Sequence, residues 1–268
     1  MIRPVLGIPT HVEQWGSGQE EIVLLHGWGK AVTLDRHLAP LARLLAEDGL
    51  RVTALEFPGH GQTGKPGEPW GVPEFGRWTA AALDALGIQR ATFVAHSFGG
   101  RVALWLAANE PGRVRRMVLT GAAGLKRQQT QEEQNASARY QRQKRMLEGV
   151  KAVPLLSRGA QALQKALRDR RSSPDYLEAD EDMKETFVRI VSQDLRPLLA
   201  QIAQPTLLVW GDRDDATPLW MGQEMERTMQ DAALVVFEGR GHFAYLEEAG
   251  RFAAIVKALM REDANKSV

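Results

Sequence analysis

The chain has 268 residues, of which 44% are hydrophobic and 25% charged, with a formal net charge of +1. That length suits one α/β domain carrying an insertion and is enough to bury a sizeable core. The near-neutral balance gives no electrostatic argument for nucleic acid or an acidic membrane surface as partner, and the absence of cysteine excludes disulfides, a thiol nucleophile and thiolate metal sites.

The first residues hold no apolar stretch long enough for a signal peptide, and nowhere is there a run of about 18 apolar residues, as a membrane span needs. A soluble cytoplasmic protein is therefore the expectation. Gly7 to Gln19 reads as a pair of edge strands closed by Gly16-Ser17-Gly18. Ile22 to Leu25 is a continuous apolar run, the pattern of a strand buried on both faces of a parallel sheet. The grammar then repeats: an amphipathic helix from Asp35 to Glu47 stopped by Gly49, a strand at Arg51 to Leu55, and a helix from Pro73 to Leu86 ended by Gly87. A strand at Ala91 to His96, a helix over Arg101 to Asn109 and a strand at Met117 to Thr120 follow. Such alternation predicts right-handed crossovers and a mostly parallel sheet with helices on both faces.

From Leu125 to about Leu195 no strand candidate occurs, but three helical stretches do: Gln131 to Leu147, Pro154 to Arg170 and Asp180 to Gln193. This is too long for a simple crossover, so residues 125–195 read as a helical cap inserted into a core made of residues 1–124 and 196–268. Between Arg139 and Arg171 there are ten basic residues against two acidic, and Asp175 to Glu185 then holds six acidic against one basic. Solvated helix faces account for such runs, with a docking surface for an acidic partner as the alternative. Sheet grammar resumes with strands at Thr206 to Trp210 and Ala232 to Phe237 on either side of a helix at Leu219 to Met229; a helix from Glu247 to Met260 and a frayed tail close the chain.

In an open parallel sheet, ligands bind beyond the carboxyl ends of the strands. Five turns bring polar residues there, and Ser97 lies at the strand-to-helix turn among them. A serine hydroxyl needs a base to take its proton, and the base needs a carboxylate to fix its tautomer. Of six histidines, His242 alone follows the last strand, after a Gly-x-Gly that lets the backbone approach closely. His26 and His60 are accounted for by glycine-rich turns, and His96 is expected to point away from its neighbour Ser97. Asp212, Asp214 and Asp215 are the acids within reach after Trp210.

The segment Ala95-His96-Ser97-Phe98-Gly99 resembles the G-x-S-x-G nucleophile elbow of the α/β-hydrolase family, with Ala95 in place of the first glycine. Gly211, Asp214 and Pro218 fit that family's G-x-x-D-x-x-x-P pattern. Phe57 to Gly64 resembles its structural D-x-P-G-x-G-x-S loop, with Glu56 and Thr63 in place of the aspartate and serine. The resemblance implies a triad of Ser97, Asp214 and His242. It also implies an oxyanion hole from the amides of Trp28 and Phe98, supported by His26, Gly27, Ala95 and Gly99. No cofactor or metal is implied.

These residues point to a serine hydrolase cleaving a carboxylic ester of a small or medium acyl substrate through an acyl-enzyme on Ser97. Alternatives that share the triad are a carbon–carbon bond hydrolase of ring-fission products, marked by a cap arginine gripping an acidic substrate, with Arg189 as candidate; a peracid-forming esterase; and a carrier-protein methyl esterase, which would make an acidic carrier protein a partner. The fold also serves as a non-catalytic receptor or scaffold, a reading that an intact triad disfavours.

Overall fold

A computed structural model describes residues 1–126, 139, 142, 145 and 173–266, with side chains of the last helix described as far as residue 261. The chain divides into two compact units, one formed by Met1–Leu125 with Asp180–Val268, the other by Lys126–Ala179. Of the second, the described part includes a short helix, Pro174–Glu178, capped by the Ser173 hydroxyl accepting from the Tyr176 amide. The predicted helices at 131–147 and 154–170, and most of the basic run, lie outside the described residues. Of the segment expected as a cap, 125–195, Leu125 and residues 180–195 fall in the first unit.

The first unit is built on an eight-stranded sheet of order β1-β2-β4-β3-β5-β6-β7-β8. The strands are Ile2–Val5 (β1), Ile8–Trp15 (β2), Glu21–Leu25 (β3), Arg51–Leu55 (β4), Ala91–His96 (β5), Val114–Thr120 (β6), Thr206–Gly211 (β7) and Ala232–Phe237 (β8). β1 and β2 pair antiparallel, β2 joins β4 antiparallel, and the six others run parallel. The edge hairpin differs from expectation: it closes at Leu6-Gly7, while Gly16-Ser17-Gly18 leads on to β3.

Strand alternation sorts the apolar runs into two cores. Val23, Leu25, Phe93, Ala95, Met117 and Leu119 face helices Val72–Ala85 (α1) and Phe98–Asn109 (α2), packing on Phe75, Trp78 and Val102. Ile22, Leu24, Val94, Val118 and Val209 face the other way, against Leu41, Leu45, Phe252 and Val256. Each continuous apolar strand therefore fills both layers, which is why it carries no polar alternation. The helix expected over Asp35 to Glu47 is interrupted: Leu34–His37 ends at Leu38, and Ala39–Ala46 restarts with Pro40 in its first turn. Proline lacks the N–H that would continue the earlier helix but fits the start of a new one. The last helix, Ala249–Lys266, continues through most of the tail expected to fray.

β4 and β5 lie on opposite sides of β3, so the chain reverses its winding there and opens a crevice beyond the carboxyl ends of β3 and β5. Residues 26–28 and 97–98 follow those ends.

Candidate active site

Ser97 links β5 to α2 with φ 50 and ψ −110, and Leu6 is the other non-glycine residue at positive φ among the described residues. Such backbone is strained for an L residue and persists because its surroundings fix it. The Ser97 amide donates to the Thr120 carbonyl at 3.2 Å, and its own carbonyl accepts from Gly100 and Ala123 at 3.0 Å each. A Cβ on Gly99 would lie 2.5 Å from the Leu25 carbonyl oxygen and one on Gly100 2.4 Å from the Ala122 Cβ, so only glycine allows α2 to start this close to the sheet. Ala95, two residues before the serine, is fully buried in β5 opposite Leu25 and Leu119, where its methyl is accommodated.

Two further turns meet beyond β7 and β8. Asp214 is buried, its side chain 0% exposed, while Asp212, Arg213 and Asp215 on the same turn are exposed. The Asp214 carboxylate accepts from the amides of Ala216 (3.0 Å) and Thr217 (2.8 Å) on Oδ1, and from the Thr217 hydroxyl (2.8 Å) on Oδ2. His242 Nδ1 donates to the same Oδ2 at 2.9 Å. That bond leaves Nε2 as the unprotonated nitrogen, the tautomer a general base requires. Asp212 instead accepts from the Gly239 amide at 2.6 Å, tying the two turns together. The Ser97 hydroxyl and His242 Nε2 are not hydrogen-bonded to each other, and catalytic contacts of this kind often tighten only as the Michaelis complex forms.

His96 lies against His242. Its ring centroid lies 4.6 Å from that of His242, and its Nε2 donates to the His242 carbonyl at 3.0 Å. Strand alternation turns His96 to the face of Val94, where Phe243 and Tyr245 also pack against it, so it lies beneath the His242 turn. Burial, then the neighbouring His242, push its pKa well below the usual histidine value, and the ring stays neutral. Gly27 completes this contact: a Cβ there would lie 2.9 Å from His96 Nδ1 and 3.3 Å from the Ser97 Cβ.

The turn after β3 is held by His26, whose Nδ1 donates to the Gly27 carbonyl at 2.7 Å and whose Nε2 accepts from the Phe57 amide at 2.9 Å. Burial, then the proximity of His60, lower the His26 pKa to about 3, and burial lowers that of His60 to about 4. Both rings are neutral building pieces. Glu56 accepts from the Gln62 amide at 2.6 Å and from His11 Nδ1 at 3.2 Å, and Thr63 accepts from the His11 amide at 2.9 Å, so this loop is braced internally. The amides of Trp28 and Phe98 have no acceptor among the described residues. Their rings stand 5.5 Å apart, with Phe187 of helix Lys184–Ser192 5.4 Å from Trp28.

The sequence alone does not mark Thr217, His96 or Gly121 as site residues. Gly121 has φ 49, and a Cβ there would lie 3.0 Å from Asp214 Oδ2 and 3.2 Å from His242 Nδ1. The sequence signal was faint: Thr217 sits in a free position of the G-x-x-D-x-x-x-P pattern. Among the described residues no group of three or more metal-binding side chains is found, and no helix is long and apolar enough to cross a membrane.

Residues 21–249 match the family model described as alpha/beta hydrolase fold. The chain is 29% identical over 269 residues to a 2-hydroxy-6-oxononadienedioate/2-hydroxy-6-oxononatrienedioate hydrolase of Burkholderia vietnamiensis, covering 94% of this chain and 91% of the relative. It is 31% identical to the dihydrolipoyllysine-residue acetyltransferase component of an acetoin cleaving system of Pseudomonas putida, covering 93% of this chain and 66% of that protein. Among solved structures, a meta-cleavage product hydrolase of Pseudomonas fluorescens IP01 superposes with a TM-score of 0.73 at 23% identity, covering 98% of both chains. An enol-lactonase of Burkholderia xenovorans superposes with a TM-score of 0.71 at 23% identity, covering 97% of this chain and 100% of the other. At those identities the two structures speak for the fold alone.

Proposed function

The chain belongs to the alpha/beta hydrolase fold family, and on that premise we propose that it is a serine hydrolase of carbon–carbon bonds, acting on ring-fission products that carry a ketone. The observation that carries the hydrolase reading is the 2.9 Å hydrogen bond from His242 to the buried Asp214, on the same sheet edge as the strained Ser97. The choice of bond is supported by relatives named for 2-hydroxy-6-oxo dioates, which match more than nine-tenths of this chain.

His242 takes the Ser97 proton as the hydroxyl oxygen attacks the ketone carbon, and Asp214 steadies the imidazolium. The amides of Trp28 and Phe98 hold the oxyanion. Collapse breaks the adjacent carbon–carbon bond. The substrate reacts as its keto tautomer, the 2-hydroxyl proton having moved to the carbon beside the ketone, so the electron pair leaves into the enone of the departing fragment, which takes the proton from His242. Water, deprotonated by the same His242, then hydrolyses the acyl-enzyme and returns Ser97.

One observation favours ester hydrolysis as a second reading. Arg189, the candidate for gripping an acidic substrate, spends its guanidinium on the Pro69 carbonyl (2.7 Å) and on Glu185 (2.8 Å) at an exposed face. An ester substrate needs no such cation, because its alcohol leaves on protonation alone.

A parallel assay separates the two. Loss of the conjugated chromophore of a 2-hydroxy-6-oxo-dienoate is followed beside release of nitrophenol from p-nitrophenyl esters of graded chain length. The expected result is faster turnover of the dienoate; turnover of the esters alone moves the assignment to a carboxylic ester hydrolase. A phosphonate inhibitor should label Ser97, S97A should take no label, and D214N should lower turnover by roughly 10⁴-fold while D212N and D215N do far less. Labelling of S97A would sink both readings.

A further inference from the structure

Resting on the serine-hydrolase reading, we propose that Thr217 is a positioning residue whose hydroxyl holds the Asp214 carboxylate in register with His242. Any residue at this position would supply the backbone N–H that Asp214 Oδ1 accepts. A serine or threonine adds a hydroxyl, and here it donates to Asp214 Oδ2 at 2.8 Å, the same oxygen that accepts from His242 Nδ1. The hydroxyl is also 3.2 Å from His242 Nδ1, so it sits in the angle between acid and base.

The residue is fixed from both sides. Its carbonyl accepts from the indole nitrogen of Trp210 at 2.7 Å, which ties it to β7, and its side chain is buried. A branched Cβ restricts χ1, so the hydroxyl has little freedom to leave. Its single proton faces two acceptors, Asp214 Oδ2 at 2.8 Å and the Gly121 carbonyl at 2.9 Å. The ionised oxygen is the stronger acceptor, because charge-assisted bonds exceed neutral ones about twofold. With two amides on Oδ1, the hydroxyl completes a set of donors that resists rotation of the carboxylate. It also draws charge away from Oδ2 and so weakens that oxygen's pull on the His242 proton.

Other titratable groups around the trio are His96 at the end of β5, kept neutral by burial, and Asp212, Arg213 and Asp215, exposed on Asp214's own turn. On the His242 turn, Arg240 pairs with Glu248, and Glu247 accepts from the Gly241 amide.

The test needs no natural substrate. The rate at which a fluorophosphonate labels Ser97 is measured for the parent chain, T217V and T217S across about pH 5 to 9. T217V is expected to label about tenfold more slowly at its plateau, the loss of one hydrogen bond to a charged group. Its fall-off on the acid side should move to higher pH, and T217S should restore both rate and profile. Labelling of T217V at the parent rate at every pH, a uniform slowing with an unmoved profile, or T217S as slow as T217V would each overturn the proposal. Should T217V fail to fold by circular dichroism, T217A goes through the same comparison. A parent protein that takes no label at Ser97 would instead overturn the serine-hydrolase reading itself.

Discussion

Gly121 lies where the backbone of β6 meets the proposed acid and base. Its φ of 49 is one that other residues adopt at a cost of about 1–2 kcal/mol, and a methyl there would crowd Asp214 Oδ2 at 3.0 Å and His242 Nδ1 at 3.2 Å. G121A should therefore fold with a modest loss of stability but lose phosphonate labelling of Ser97 by more than about tenfold. Comparing the urea midpoint with the labelling rate separates the two effects, and a variant that labels at the parent rate would show that the pair tolerates displacement. The same reasoning explains why several single atoms matter here. A Cβ at position 99, a hydroxyl at position 217 and an imidazole N–H at position 96 each meet a partner with little room to spare.

At the scale of elements, the β1–β2 hairpin carries a local conflict. Its two-residue turn, Leu6-Gly7, has φ of 47 and 79 and joins Val5 to Ile8 across the register. Two positive φ values suit a turn that favours Asn-Gly, because strand twist matches it and asparagine tolerates the left-handed region. Leu6 is 66% exposed, so little packing compensates the strain. L6N should raise the unfolding free energy by about 0.5–1 kcal/mol with no change in labelling or turnover, as measured by urea denaturation. A lower midpoint would mean that Leu6 makes contacts outside the hairpin. Helix Lys184–Ser192 presents Phe187 and Ile190 to the core, and Arg101, one turn beyond Ser97, donates to the carbonyls of Ile190 (3.1 Å) and Gln193 (2.8 Å) near its end. Burial lowers the Arg101 pKa only to about 10, so it keeps its charge at neutral pH and binds the nucleophile helix to the last turn of its neighbour.

The whole molecule should be sensitive to acid. His26, His60 and His96 are buried and resist protonation, with values of about 3 for His26 and about 4 for His60 against 6.5 for a free histidine. In the unfolded chain all three take up a proton as the pH falls through 6.5, so the unfolded state then binds more protons than the folded one. Their stabilising contribution is complete above that pH and is lost progressively until the folded-state values are reached. Each histidine contributes a slope of about 1.4 kcal/mol per pH unit in that window. Urea midpoints at about pH 7, 6, 5 and 4.5 should fall steeply, and a flat profile would mean that the rings are solvated in the folded protein.

The order of strands and helices, the mostly parallel sheet and the edge at which chemistry collects are determined by the sequence alone. Apolar runs such as Ile22 to Leu25 and glycine stops at 49 and 87 are local signals whose meaning does not depend on distant residues. Ser97 and His242 could be named as candidates from their own turns, whereas only the family pattern that its turn resembles distinguished Asp214 from Asp212 and Asp215. Three matters were decided only in three dimensions. Which of three neighbouring aspartates is buried depends on the turn's fold, which sends Asp214 inward and leaves Asp212 and Asp215 in solvent. That His96 lies under His242, 146 residues away, follows from the strand face it occupies and from the path of the last turn, neither visible in the neighbouring serine. Thr217 gains its place from strands β6, β7 and β8 converging on one point, and a hydroxyl in sequence carries no mark of the carboxylate it will meet. Local signals report where the chain turns; the partners of a buried polar group are fixed by packing between segments far apart in the chain.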